Sequence, residues 1–177
     1  MTQSLLAIVV CHLNNRRIPH ALIGAAALAV HGVARSTFDL DLLTTDVRVL
    51  EADFWRGLGD ARVSVKVRPG DADDPLAGVV RIEAAGERAL DVVVGRGGWQ
   101  DAVVDRSEPV DLEDVVLPVV RASDLILLKL YAGGSQDAWD IEQLLASQDR
   151  RRLIADVEGG IADLPAAART MWDHVRG

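Results

Sequence analysis

A chain of 177 residues, 49% hydrophobic and 26% charged, suits one compact domain, or a small sheet domain with a helical extension, and excludes global disorder. Its formal net charge of -8 argues against broad non-specific binding to a nucleic-acid backbone, although a local basic pocket stays compatible with it. Aromatic residues make up only 4%, so the core must be built from Val, Leu and Ala.

One cysteine, Cys11, cannot form an internal disulfide, which points to a reducing, cytoplasmic setting. The apolar run Leu5 to Cys11 is not preceded by positive residues, and Asn14-Asn15-Arg16-Arg17 follows it where a cleavage site would stand; it does not read as a signal segment. No apolar stretch reaches the roughly 20 residues a membrane span needs.

In chain order, residues 3–16 carry Leu5, Leu6, Val9 and Leu13 at helical spacing. Pro19 ends that unit, and the Ala- and Leu-rich residues 20–31 are expected to be helical up to Gly32. Phe38 to Leu43 alternates apolar and acidic side chains, the pattern of a half-buried strand. A helix is expected over 46–58, followed by strands over 62–67, 79–84 and 89–94, with a polar loop from Arg68 to Pro75. Val115 to Val120 is a further short strand, broken by Pro118. From Ala122 the pattern is helical to the end: Ser123 and Asp124 are expected to cap a helix that breaks near Gly133-Gly134, with more helix over 137–147 and 162–175. The order gives an α+β chain without regular βαβ alternation.

Asp39 and Asp41 lie two apart on the predicted strand, so their carboxylates leave one face. A bare Asp-x-Asp reads first as a solvent-facing acidic strand. The surroundings change that. Ile23-Gly24-Ala25 opens a helix whose N-terminal amides attract phosphate, and Gly24 permits close backbone approach. Arg35, Ser36 and Thr37 stand just ahead of the acidic strand as phosphate contacts, Arg35 foremost. Asp91, a lone acid inside Ala89 to Val94, is costly if buried alone and is better explained as a third carboxylate beside the first two. A divalent cation such as Mg²⁺ is the natural occupant of such a cluster.

The run Leu22-Ile23-Gly24-Ala25, then Asp39-Leu40-Asp41, then Leu90-Asp91-Val92 resembles the polymerase-β-like nucleotidyltransferase superfamily. The stretch Ala21 to Leu43, with Asp124 to Lys129 and Gln136 to Leu145, looks most like its small prokaryotic branch that includes AbiEii-type toxins. The resemblance spans roughly residues 20–146. It implies a nucleotidyltransferase fold, a small mixed sheet flanked by helices, with a core over 1–120 and a C-terminal helical part over 121–177. It further implies Mg²⁺ or Mn²⁺ held by Asp39, Asp41 and Asp91. An NTP would be bound through Gly24, Ala25, Arg35, Ser36, Thr37 and Lys129, and a nucleoside monophosphate transferred to an acceptor, with Asp91 taking the acceptor's proton. A tRNA end, a protein hydroxyl or a small molecule are the acceptors considered, tRNA being the least suited to an acidic chain. An antitoxin is a further partner, and no membrane is implied. Ala25 stands where the family usually has Gly or Ser, which removes a hydroxyl from the phosphate site. The alternative is therefore a catalytically degenerate nucleotide- or partner-binding module of the same fold. A metal hydrolase is a weaker third reading, because His ligands are missing beside the carboxylates.

Three further readings concern single residues. Lys129, in an apolar helix, either snorkels to water or reaches the triphosphate. Asp137 and Asp140 share a helix face and are expected to include at least one structural ion pair with it. His31 is expected to pack or cap, and Trp139 and Trp172 to pack the helical part.

Overall fold

The computed structural model describes residues 3–36, 39–58 and 62–177. Its first helix, α1 (Leu5–Asn15), is capped by Ser4, whose hydroxyl accepts from the Ala7 amide, and buries Leu5, Leu6, Val9, Val10 and Leu13. The region expected to be one helix over 20–31 divides in two. Ala21–Ile23 is a strand, β1, and Gly24–Val30 is a short helix, α2. The change of direction falls on Gly24 at φ +66°, a left-handed conformation that glycine adopts without the penalty a Cβ would bring.

The acidic strand is β2 (Leu40–Thr44); Phe38 lies outside the described residues, and Asp39 stands immediately before the strand. The helix expected over 46–58 is instead two 3-10 turns, Val47–Leu50 and Ala52–Trp55. Side-chain bonding explains why a continuous helix loses. Asp46 accepts from the Arg48 amide, and the buried Trp55 indole donates to the Val49 carbonyl at 2.7 Å. Trp55 also stacks on His12 of α1 at 5.3 Å.

Strands β3 (Val63–Pro69), β4 (Leu76–Ala84) and β5 (Leu90–Gly95) follow as expected, the first two longer than anticipated and the third shifted by one residue. Helix α3 (Gly98–Asp105) and strand β6 (Glu108–Leu112) were not anticipated; β7 (Val115–Val119) was, and it tolerates Pro118. The remaining helices are α4 (Ala122–Ala132), α5 (Ser135–Ser147), α6 (Arg150–Glu158) and α7 (Ala166–Val175). Gly133, at φ +72°, terminates α4.

The strands form one mixed sheet in the order β3-β4-β5-β2-β1-β7-β6. Its centre is parallel where β2 meets β5 and antiparallel where β1 meets β2 and β4 meets β5. Leu40, Leu42, Val80, Ile82, Leu90, Val92 and Val94 are buried along its middle strands. Helix α4 contacts α2 and also α5, α6 and α7, so it links the helical part to the sheet. The fold is thus α+β with a mixed sheet, as the sequence implies.

Asp124 does not cap α4. It is buried, and its carboxylate accepts from Arg106 Nη2 at 2.6 Å and Nε at 3.3 Å, tying the end of α3 to the start of α4. The two partners differ in exposure, with side chains 3% and 43% accessible respectively. Arg106→Met would strand a buried carboxylate and is expected to destabilise the fold by roughly 3 kcal/mol. Asp124→Asn leaves an arginine that water can resolvate, and should cost about 1 kcal/mol. Urea unfolding of both variants checks the asymmetry.

Candidate active site

The register of three strands places three of the site's side chains in one row. Asp41 of β2 pairs with Asp91 of β5, and Asp91 pairs with Arg81 of β4. Lateral neighbours in a sheet project to the same side. Asp39 precedes Asp41 by two residues and joins the row's edge, where Arg81 reaches it. Arg81 Nη1 donates to Asp91 Oδ2 at 2.9 Å, Nη2 donates to Asp39 Oδ2 at 3.2 Å, and Nε donates to Glu83 Oε1 at 3.2 Å. Sequence reasoning missed Arg81 altogether, because Val80-Arg81-Ile82-Glu83 carries only the alternation of an ordinary half-exposed strand.

Asp41 sits where charge is least comfortable. Burial, followed by the like charges of Asp91 and Asp39, pushes its carboxyl from 3.8 up to about 6, against the smaller opposing pull of Arg81 and Lys129. Gly24 lies directly against it: a Cβ at that position would stand 2.2 Å from Asp41 Oδ2. The glycine is therefore demanded twice, by its positive φ and by the carboxylate at its back.

Across the cleft, Asp140 of α5 is buried and takes two cations. Lys129 Nζ of α4 donates to Asp140 Oδ2 at 2.6 Å and to Asp137 Oδ1 at 3.2 Å. Arg35 Nη1 donates to Asp140 Oδ1 at 2.9 Å. Both acids thus pair with Lys129, whose side chain is only 11% exposed and so does not snorkel to bulk water. The Gln136 amide oxygen, in the orientation that satisfies it, accepts from Arg35 at 2.7 and 2.9 Å. A cleft of about 550 Å³ is lined by Ala25, Arg35, Asp39, Asp41, Asp91, Lys129, Gln136, Asp137 and Asp140.

The structure therefore brings together Asp39, Asp41, Asp91, Arg35, Lys129 and Ala25, with Gly24 behind Asp41. Ser36 is exposed and does not line the cleft; Thr37 lies outside the described residues. His31 has the packing role expected of it, ending α2 with Nε2 2.7 Å from the Val120 carbonyl oxygen. Trp172 is buried as expected, but Trp139 is 46% exposed, because the buried face of α5 carries Asp140, Ile141, Leu144 and Leu145. Its ring lies 5.8 Å from the Arg35 guanidinium.

The donor chemistry fits a hard divalent cation. Asp91 Oδ1 is buried without a hydrogen-bond partner, and burial and like charges oppose the ionisation of Asp41 next to it. Such oxygens are what Mg²⁺ takes, through one or two carboxylates together with substrate phosphate. Among the described residues no three His, Cys, Asp or Glu side chains already form a cage for a metal ion. Arg81 stands on Asp39 and Asp91, so the fit is one of donor type and position.

No protein-family model and no curated protein matches the chain. Solved structures do match. The antibiotic-resistance factor ANT(2'')-Ia in solution is similar over 96% of this chain and 95% of its own, at 14% identity and a TM-score of 0.56. Its crystalline complex with adenylyl-2''-tobramycin matches over 89% and 95%, at 12% identity and a TM-score of 0.53. A provisionally assigned nucleotidyltransferase of Thermotoga maritima matches over 81% and 92%, at 16% identity and a TM-score of 0.54. The mixed sheet with its flanking helices is thus the nucleotidyltransferase fold.

Proposed function

We propose that the protein is a metal-dependent nucleotidyltransferase that moves a nucleoside monophosphate from an NTP to a nucleophilic acceptor. The observation that carries this reading is the convergence of Asp39, Asp41 and Asp91 in one cleft with Arg35 and Lys129. Three acids alone would favour a free cation, and two bases alone would favour a simple anion. Side by side they suit a metal-bound polyphosphate.

In this reading Asp39, Asp41 and Asp91 would hold Mg²⁺ or Mn²⁺, which when bound would offset triphosphate charge and lower the pKa of the acceptor hydroxyl. The acceptor oxygen forms a bond to the α-phosphorus as the bond to the β-phosphate bridging oxygen breaks, and pyrophosphate leaves with that electron pair. Asp91 would also receive the acceptor's proton. Lys129 and Arg35, fixed by Asp140, face the charge that grows on the leaving phosphates. The Gly24 and Ala25 amides would add phosphate contacts; Ala25 presents a methyl in place of a hydroxyl, which lowers NTP affinity without touching the carboxylates.

The resemblance of the Ala21 to Leu43 and Gln136 to Leu145 segments to AbiEii-type toxins supports a role as the toxin half of a cytoplasmic pair with an antitoxin. No helix among the described residues is long and apolar enough to cross a membrane. Of a tRNA end, a protein hydroxyl and a small molecule, the last is the acceptor class represented by the adenylylated tobramycin in the ANT(2'')-Ia complex.

Incubation with α-labelled NTPs, Mg²⁺ and cell extract should transfer label to a discrete acceptor, and γ-labelled NTP should not. Asp39→Ala and Asp41→Ala should abolish transfer. Equal behaviour of wild type and both variants with every NTP would overturn the reading.

A further inference from the structure

The guanidinium of Arg81 spans the two outer carboxylates of the cleft, and leaves Asp91 Oδ1 without a hydrogen bond. One positive charge is thus spread over oxygens that a divalent ion would use. A guanidinium and a divalent cation held on the same two carboxylates stand close enough to repel. Arg81 also has somewhere else to be. Its Nε already bonds Glu83, two residues along the same strand face, and Glu83 is held in turn by Lys66 Nζ of β3 at 3.3 Å. The side chain is 30% exposed, so its outer nitrogens are free to turn away while Nε stays on Glu83.

We propose that Arg81 is a built-in competitor for the metal: it holds Asp39 and Asp91 in register in the metal-free protein and must withdraw onto Glu83 when a divalent cation binds. The inference rests on reading the cleft as metal-dependent. Its consequence is that metal affinity is set by the difference between two homes for one guanidinium, the carboxylate row and Glu83. Removing the guanidinium strengthens metal binding. Removing the charge of Glu83 removes the second home and weakens it. A guanidinium that merely shaped the site would give the first effect with the opposite sign.

The test is titration of the full chain with Mn²⁺ alone, followed by calorimetry and by loss of the free-ion electron paramagnetic resonance signal. Arg81→Met should bind Mn²⁺ roughly three- to tenfold more tightly than wild type, as expected for release from one or two half-exposed ion pairs. Glu83→Gln should bind it more weakly. Arg81→Gln gives the same readout should Arg81→Met fail to fold. If wild type binds Mn²⁺ and the Arg81 variants bind it equally or less well, the competitor role is overturned and the metal reading stands. If neither wild type nor the variants bind Mn²⁺, both are overturned.

Discussion

In the presence of a chelator at about pH 8, Asp41→Asn should unfold at a temperature roughly 5–10 °C above wild type, while losing nucleotidyl transfer by about a hundredfold or more. The stability gain follows from the perturbed carboxyl. Its folded value, about 6, lies above its unfolded value, so the native state binds the extra proton between about pH 4 and pH 6. The stability associated with protonated Asp41 is complete below the unfolded value and is lost as pH rises through the folded one. A displacement of about two units corresponds to about 3 kcal/mol, all of it unfavourable to the ionised folded state above about pH 6. Asparagine never ionises, so its advantage should be full near pH 8 and should shrink towards pH 4. Thermal unfolding at both pH values checks the sign. An advantage independent of pH would assign the gain to packing instead of charge. A site that keeps three acids together at the expense of the metal-free fold is what a cation-binding role requires.

Gly24→Ala should be strongly destabilising. The new Cβ would stand 2.2 Å from Asp41 Oδ2 and 3.1 Å from Asp41 Cβ, on a backbone at φ +66°. Left-handed strain contributes about 1–2 kcal/mol and the clash a similar amount, for a total of about 3 kcal/mol, with activity lost because the carboxylate must move. The two contributions separate in a double-mutant cycle. On an Asp41→Ala background the clash with the carboxylate disappears, leaving the strain and the 3.1 Å approach to the Cβ that alanine keeps, so Gly24→Ala should then cost clearly less. Additive costs, measured by urea unfolding, would mean that Gly24 answers only to its backbone.

Much of this arrangement was legible before any coordinates. The alternation through Leu43 disclosed a strand with Asp41 on one face, and the single acid in Ala89 to Val94 marked a third carboxylate beside it. Gly24, Arg35 and Lys129 announced themselves by spacing and by resemblance. What stayed hidden was decided by pairing. A period of two tells which side a residue leaves, and says nothing of which strand lies alongside. The row Arg81-Asp91-Asp41 exists only in the register, so Arg81 carried no signal. Local pattern failed where tertiary contacts overrode it. The Ala-rich stretch from Ala21 reads as helix throughout, yet its first three residues bond to β2 and β7. Trp139, an expected packing residue, sits off the buried stripe of α5 and beside Arg35 instead. Asp124, an expected cap, was drawn into a buried pair by Arg106, which lies eighteen residues upstream.

In the proposed reaction Asp39, Asp41 and Asp91 would hold the metal of an NTP whose phosphates meet Arg35 and Lys129. The most direct test is a crystal structure with Mn²⁺ and an NTP analogue non-hydrolysable at the α–β bridge, read by anomalous scattering. Manganese signal is expected among the three carboxylates, with the triphosphate against Lys129 and Arg35. Nucleotide bound elsewhere, or a carboxylate row still closed by Arg81 and free of manganese, would contradict it.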